Sequence, residues 1–175
     1  MQWWLILPGI PLAALTAIYT AYLFAQAKAR DMWQNPLLPP HMLAQAMLLG
    51  SAVVGLLAVW LQTTTNAPGD GAIEIASALL ALTTAAHLLV VWGEISLTHP
   101  TAHARLAIHE MVRGRYASDF WIGVVMSVIG GLLPLLALFH YIDAGIGIAG
   151  APFALVGMML YEHAYVQAGQ SVPLA

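Results

Sequence analysis

Long apolar segments alternate with short polar connections along the whole chain. The apolar segments cover residues 3–27, 41–62, 73–97, 119–141 and 147–167. At about 1.5 Å per residue, each can cross a ~30 Å hydrocarbon layer as an α-helix. The pattern predicts an all-α polytopic membrane protein with five transmembrane helices in a bundle, forming a single membrane domain over residues 1–175.

The longest polar segment, residues 98–118, lies between the third and fourth spans. It contains Arg105, Arg113 and Arg115 together with three histidines. Basic residues mixed with apolar ones at the end of a span are typical of a helix that lies in the membrane interface. We therefore expect a short amphipathic helix in this segment.

Composition supports the membrane assignment. The residues are 61% hydrophobic and 7% charged, whereas about 25% charged is usual in soluble domains. Five basic and eight acidic side chains cannot cover so large an apolar surface, so lipid must solvate most of it. No basic patch suits nucleic acid. The absence of cysteine excludes disulfides and cysteine-ligated iron–sulfur clusters within this chain, so any such cluster belongs to a partner.

The basic residues predict the orientation of the spans. Lys28 and Arg30 follow the first apolar segment instead of preceding it, which argues against a cleaved signal peptide and for a retained span. All five basic residues follow either the first or the third span, and the positive-inside rule places that side in the cytoplasm. The N-terminus is then outside and the C-terminus inside. Such a start leads us to expect further spans upstream, in the same or another polypeptide.

Two motifs carry a resemblance to a known family. Residues 28–39, KARDMWQNPLLP, preceded by YTAYLF at 19–24, resemble the hinge of the polysulfide reductase membrane-subunit (NrfD-like) family, and AGQSVPLA at 168–175 resembles the end of that family. Asp31 stands where the family usually has proline, and Ala21 where it has glycine. The resemblance implies a fold of eight helices in two bundles, of which this chain would be the fourth to eighth.

The resemblance also implies a function. Such subunits lie in the bacterial or archaeal plasma membrane, exchange electrons with quinone, and anchor an extrinsic iron–sulfur (ferredoxin-like) subunit and a catalytic redox subunit, for which a molybdopterin enzyme is one candidate. It implies quinone contact for Tyr19; Tyr22, one turn later, is a second candidate, and simple packing is the alternative for both. Quinone would be bound partly by residues outside this chain, and no haem or metal is expected in it.

Quinone reduction consumes two electrons and two protons, so titratable groups inside the spans are candidate proton relays. Glu94 and His87 are seven residues apart and share a helix face, about 10 Å from each other along the axis. Water or a neighbouring helix could bridge them. The alternative is that Glu94 reaches the interface and His87 makes one structural hydrogen bond.

Glu162 and His163, near the inner end of the last span, form a second candidate relay, with an interfacial cluster as the alternative. His99 and His103 have the i, i+4 spacing of a helical metal site, but solvated histidines are the favoured interpretation, so no metal site is predicted.

Two other functions stay open on the sequence alone. A haem b anchor would use paired histidines, and His41 with His87 is the pair to test. A structural scaffold would need only close packing through glycines such as Gly50, Gly55, Gly130 and Gly131. Whether this subunit is itself catalytic is left undecided.

Overall fold

The computed structural model describes residues 3–28, 30–65 and 69–173. Its helices are α1 (Trp3–Ala25), α2 (Leu38–Thr65), α3 (Asp70–Ser96), α4 (Ala102–Val112), α5 (Ala117–Leu138), α6 (Ala144–Ile148) and α7 (Ala151–Ser171), with a 3-10 turn at Asp31–Gln34. Within the described residues, five helical segments are long and apolar enough to span a membrane, and the short α4 lies in the polar segment between the third and fourth of them. The predicted fold class is confirmed.

Helix α2 is longer than predicted at both ends. It begins at Leu38, because Pro39 and Pro40 fall in its first turn, where backbone N–H groups have no helical partner to lose. Its far end continues to Thr65. There the hydroxyls of Thr63, Thr64 and Thr65 donate to carbonyl oxygens one turn earlier, at 3.0, 2.7 and 2.7 Å.

The last span is divided into α6 and α7. Pro152 lies in the first turn of α7 and has no N–H to bond the carbonyl of Ile148, the last residue of α6. The continuous run predicted from residue 147 therefore becomes a short helix, a two-residue break and a long helix.

Helices α2, α3, α5 and α7 pack around the main core, and small residues let α5 and α7 approach closely. A methyl group added at Gly123 would lie 2.8 Å from the backbone nitrogen of Tyr161, and one at Gly157 would lie 2.6 Å from that of Ser127. Such close approach is typical of membrane helix pairs. Helix α1 lies at the edge of the bundle, against α2 and the 3-10 turn, with Ala21 as its buried residue.

The two motifs that carry the family resemblance contact each other at one end of the bundle. Arg30 Nη1 donates to the carbonyl oxygens of Gly169, Gln170 and Val172 at 2.9, 2.8 and 2.8 Å. These carbonyls end α7 and have no helical donor, and a cation also favours the negative end of the helix dipole. The 3-10 turn contacts α4 as well, so the hinge, α4 and the end of α7 share one end of the bundle.

Candidate functional site

Four polar side chains from three helices meet inside the bundle. His41 from α2, His87 and Glu94 from α3, and Tyr161 from α7 are each at most 1% exposed. We call these four residues the buried polar cluster. Burying a polar or ionisable side chain inside a membrane span costs free energy, so such a residue more often has a functional role than a role in packing alone.

A continuous set of hydrogen bonds joins the cluster. The two carboxylate oxygens of Glu94 have different partners: His41 Nδ1 lies 3.1 Å from Oε1, and the Tyr161 hydroxyl donates to Oε2 at 2.6 Å. The other nitrogen of His41, Nε2, lies 2.8 Å from His87 Nδ1. His41 is therefore the central member, bonded through both ring nitrogens.

The hydrogen bonds restrict where protons can reside. If His41 is neutral and donates from Nδ1 to the carboxylate, its Nε2 must accept from the Nδ1–H of His87. If His41 carries two protons, it donates to both neighbours, and His87 Nδ1 becomes the acceptor. The cluster thus has at least two consistent protonation patterns. They differ by a proton on His41 and by the position of the proton on His87.

His87 Nε2 is the open end of this chain of bonds. It is buried, and no described residue offers it a hydrogen-bond partner. A nitrogen at this position accepts or donates according to which pattern the rest of the cluster adopts. It is where a further hydrogen-bonding group, such as water, would join.

Glu94 and His87 were both predicted as site residues, and the structure brings them together through a neighbouring helix, as the two-turn spacing allowed. Tyr161 was missed, and His41 was considered only as a haem partner of His87 and not as a member of a proton relay. His41 was assigned to the end of a span because α2 was started three residues too late. A signal was available, since His41 and Glu94 lie at similar distances along the chain from the loop that joins two antiparallel helices.

Glu162 and His163 point to different faces of α7. Glu162 is partly buried and lines a groove between α1, α2 and α7. His163 is 54% exposed on another face of α7, where its Nε2 lies 3.6 Å from Asp119 Oδ2. Adjacent residues on a helix point about 100° apart, which separates the pair.

The remaining candidates lie outside the cluster. Tyr19 and Tyr22 are 59% and 58% exposed on α1. Their contact with quinone stays a prediction. His99 donates from Nε2 to the backbone oxygen of Glu94 at 2.9 Å, which ties the polar segment to the end of α3. His103 is partly buried, and no group of three metal-ligating side chains occurs among the described residues.

Comparisons with known proteins identify relatives. The model of the polysulphide reductase NrfD family matches residues 1–174. The chain is 30% identical over 132 residues to one of the subunits of the selenate reductase of Mesobacillus selenatarsenatis, an alignment that covers 74% of this chain and 30% of that protein. The chain thus matches about a third of the relative's length. No solved structure gives a significant match.

Proposed function

We propose that this chain, which belongs to the NrfD family, is a membrane subunit of an oxidoreductase complex and moves protons for quinone chemistry through the buried polar cluster. The observation that carries the proposal is the unbroken set of hydrogen bonds from His87 through His41 to Glu94 and Tyr161. A merely structural hydrogen bond would need only two of these groups.

Proton transfer follows from the chemistry of imidazole. His41 can take a proton at Nδ1 from Glu94 and release the other proton from Nε2 to His87, because its two ring nitrogens are distinct sites. Glu94 can then be reprotonated. Each transfer spans one hydrogen bond, so no side chain needs to move far for a proton to travel from Glu94 to His87.

Electrons need a partner. The chain has no cysteine and so cannot hold a thiolate-ligated cluster. We infer that an extrinsic iron–sulfur subunit docks on it and links quinone to a catalytic redox subunit. Purification of this chain alone with stoichiometric iron, or with a haem Soret band, would contradict this arrangement.

The haem alternative is less well supported by the geometry. Two axial histidines must approach an iron from opposite faces of the porphyrin, whereas His41 and His87 are hydrogen-bonded directly to each other at 2.8 Å. The scaffold alternative predicts that the cluster can be altered without loss of turnover, and the following experiment separates it from the proposal.

The test replaces Glu94 by Gln in the assembled complex. Glutamine keeps the size of the side chain and an oxygen for Tyr161 but cannot titrate, so we expect quinone-linked turnover to fall ten-fold or more, about 1.4 kcal/mol in the barrier, with assembly unchanged. Glu94→Asp should retain part of the activity, since it still titrates but is one methylene short.

Glu74→Gln is the matched control, because Glu74 is an exposed carboxylate near the other end of the same helix. It should leave turnover unchanged. If Glu94→Gln turns over like wild type from about pH 6 to about pH 8, Glu94 has a structural role only and the scaffold interpretation is favoured.

A further inference from the structure

Three buried hydrogen-bonding atoms on α3 and α5 lack a partner among the described residues. They are His87 Nε2, Thr84 Oγ1 and Ser127 Oγ, and each of these residues is at most 1% exposed. A buried polar atom without a partner costs free energy. We therefore expect each of the three to have a partner that the described side chains do not supply.

The contact between α3 and α5 brings the three residues to one level of the bundle. A methyl group added at Gly131 of α5 would lie 2.7 Å from Thr84 Cγ2 and 3.8 Å from its Oγ1. His87 lies about one turn after Thr84 on α3, and Ser127 lies about one turn before Gly131 on α5. Because these consecutive spans run in opposite directions, both displacements point the same way along the bundle.

Helix α7 closes the same region from a third side. A methyl group added at Gly157 of α7 would lie 2.5 Å from Ser127 Oγ. Tyr161 follows Gly157 by about one turn, and its ring centroid is 5.0 Å from that of His87. The Ser127 hydroxyl and the His87 ring thus face neighbouring turns of α7, so the unpartnered atoms lie together where α3, α5 and α7 meet.

Hydroxyl groups suit this place because the outer nitrogen of His87 has to change its role. In one protonation pattern of the buried polar cluster His87 Nε2 accepts a hydrogen bond, and in the other it donates one. A backbone carbonyl or amide group would satisfy only one of these patterns. A water molecule held by two hydroxyls, whose hydrogens rotate to suit their neighbours, satisfies both by reorientation.

We propose that His87 Nε2, Thr84 Oγ1 and Ser127 Oγ bind one internal water molecule, which is the next member of the proton relay after His87. Buried waters typically make about three hydrogen bonds to otherwise unpaired polar groups, and these three atoms supply that number. The binding of the water stands on the geometry, whereas its part in the relay rests on the proposed function.

The proton transfer at this water is balanced. When His41 gives a proton to His87 Nδ1, His87 releases the proton on its Nε2 to the water, and its ring is neutral again. The alternative is that the Ser127 hydroxyl donates to a carbonyl oxygen of its own helix. Such a bond would leave the relay to end at His87.

The water extends the relay away from the hinge. Thr84 is nearer than His87 to the start of α3. Ser77, a further buried hydroxyl without a partner among the described residues, lines a cavity of about 830 Å³ beside α6. Leu80 is fully buried between Ser77 and Thr84, so the inferred water is enclosed, and the chain of hydrogen bonds points towards this cavity.

X-ray radiolytic footprinting of the assembled complex tests for the water. Radiolysis of an ordered internal water produces hydroxyl radicals that oxidise the side chains beside it, and mass spectrometry identifies the oxidised residues. We expect oxidation of His87 and Tyr161, although each is at most 1% exposed.

Thr84→Val and Ser127→Ala remove the two hydroxyls with little change in volume. The double variant should lower the oxidation of His87 at least about ten-fold, since the water loses two of its three hydrogen bonds. Thr84→Ser keeps the hydroxyl and removes the methyl group that packs on Gly131. It should retain the oxidation, which separates loss of the hydroxyl from loss of packing.

Thr83→Val and Ser51→Ala are the matched controls. Both delete a buried hydroxyl that already donates to a carbonyl oxygen of its own helix, Thr83 to Leu79 at 2.6 Å and Ser51 to Leu48 at 2.9 Å. The double control variant should oxidise like wild type, because neither hydroxyl needs a water as its partner.

Absence of oxidation at His87 in the wild type would overturn the proposal, as would equal oxidation in the wild type and the double variant. Turnover of the same samples separates this result from the proposed function. If the double variant loses the oxidation and turns over like wild type, the relay does not pass through the water. If Glu94→Gln also turns over like wild type, the proposed function fails, and the footprinting result alone decides whether the water is bound.

Discussion

Tyr161 shows how one side chain can hold a buried carboxylate in place. Its hydroxyl supplies the hydrogen bond to Glu94 Oε2 at 2.6 Å, and its ring packs against both cluster histidines, with centroids 5.4 Å from His41 and 5.0 Å from His87. Removing the hydroxyl alone would keep this packing and leave a buried oxygen unpaired. The cost of an unpaired polar atom can therefore be measured separately from the cost of lost volume.

We predict that Tyr161→Phe destabilises the folded protein by about 1–3 kcal/mol, the usual cost of leaving a buried acceptor without its partner. Tyr165→Phe is the control, because the Tyr165 hydroxyl makes a longer bond, 3.3 Å to the carbonyl of Met32. It should cost less, about 0.5–1.5 kcal/mol. Thermal unfolding in detergent measures both, and equal losses would show that Tyr161 has no special role in holding Glu94.

The sequence alone indicated some members of the buried polar cluster and not others. Glu94 and His87 could be selected because charged and titratable residues are rare inside spans. From the sequence, Tyr161 could not be distinguished from tyrosines whose role is packing alone. Its partnership with Glu94 depends on how α7 is rotated against α3, and single-sequence periodicity does not contain that angle.

Among the elements, α5 and α7 depend on glycine where their backbones meet. A methyl group added at Gly130 would lie 2.7 Å from the Cα of Ala154, and backbone atoms cannot move aside as a flexible side chain can. For Gly50 on α2, also considered as a packing glycine, no described residue beyond its own helical turn places a heavy atom within 4 Å of such a methyl group. Both are glycines in apolar helices, and only the three-dimensional arrangement tells them apart.

Gly130→Ala and Gly50→Ala should therefore have opposite effects. At Gly130 the overpacked contact should cost about 1–3 kcal/mol. At Gly50 the better helix propensity of alanine should be neutral or stabilising by up to about 1 kcal/mol. Unfolding midpoints of the two variants in the same detergent measure this difference, and a loss of stability at Gly50 would show that an unseen neighbour packs there.

The helix bounds show which physical signals the sequence carries. Apolar length located all five spans because the hydrocarbon layer imposes it. The start of α2 was predicted three residues too late, and the break before α7 was not predicted. Both depend on a proline in the first turn of a helix, and a proline in the sequence can mark either the start or the end of a helix.

For the whole molecule, Arg30 joins the hinge that follows α1 to the end of α7. It lies in the hinge after α1, and its guanidinium closes the last turn of α7 through three carbonyl oxygens. The two motifs that carry the family resemblance are therefore in direct contact. The pairing spans nearly the whole chain, and no local pattern predicted it.

Arg30→Gln should loosen this closure and lower the stability of the bundle by about 1–3 kcal/mol, the range for hydrogen bonds that involve a charged group. Lys28→Gln is the control, since Lys28 is exposed in the same hinge and should change stability by less than about 0.5 kcal/mol. Limited proteolysis of the C-terminus gives a second measurement. Equal resistance in both variants would mean that other contacts hold the tail.

The orientation of the molecule remains a prediction, and it concerns all five basic residues together. The hinge with Lys28 and Arg30 and the polar segment with its three arginines lie at one end of the bundle, because the 3-10 turn packs on α4. The positive-inside rule assigns that end to the cytoplasm. A reporter fused after Arg113 should then be cytoplasmic. One fused at Ala67, outside the described residues in the connection between α2 and α3, should be external. The reverse result would invert the molecule, with the open His87 end of the cluster then pointing towards the cytoplasm.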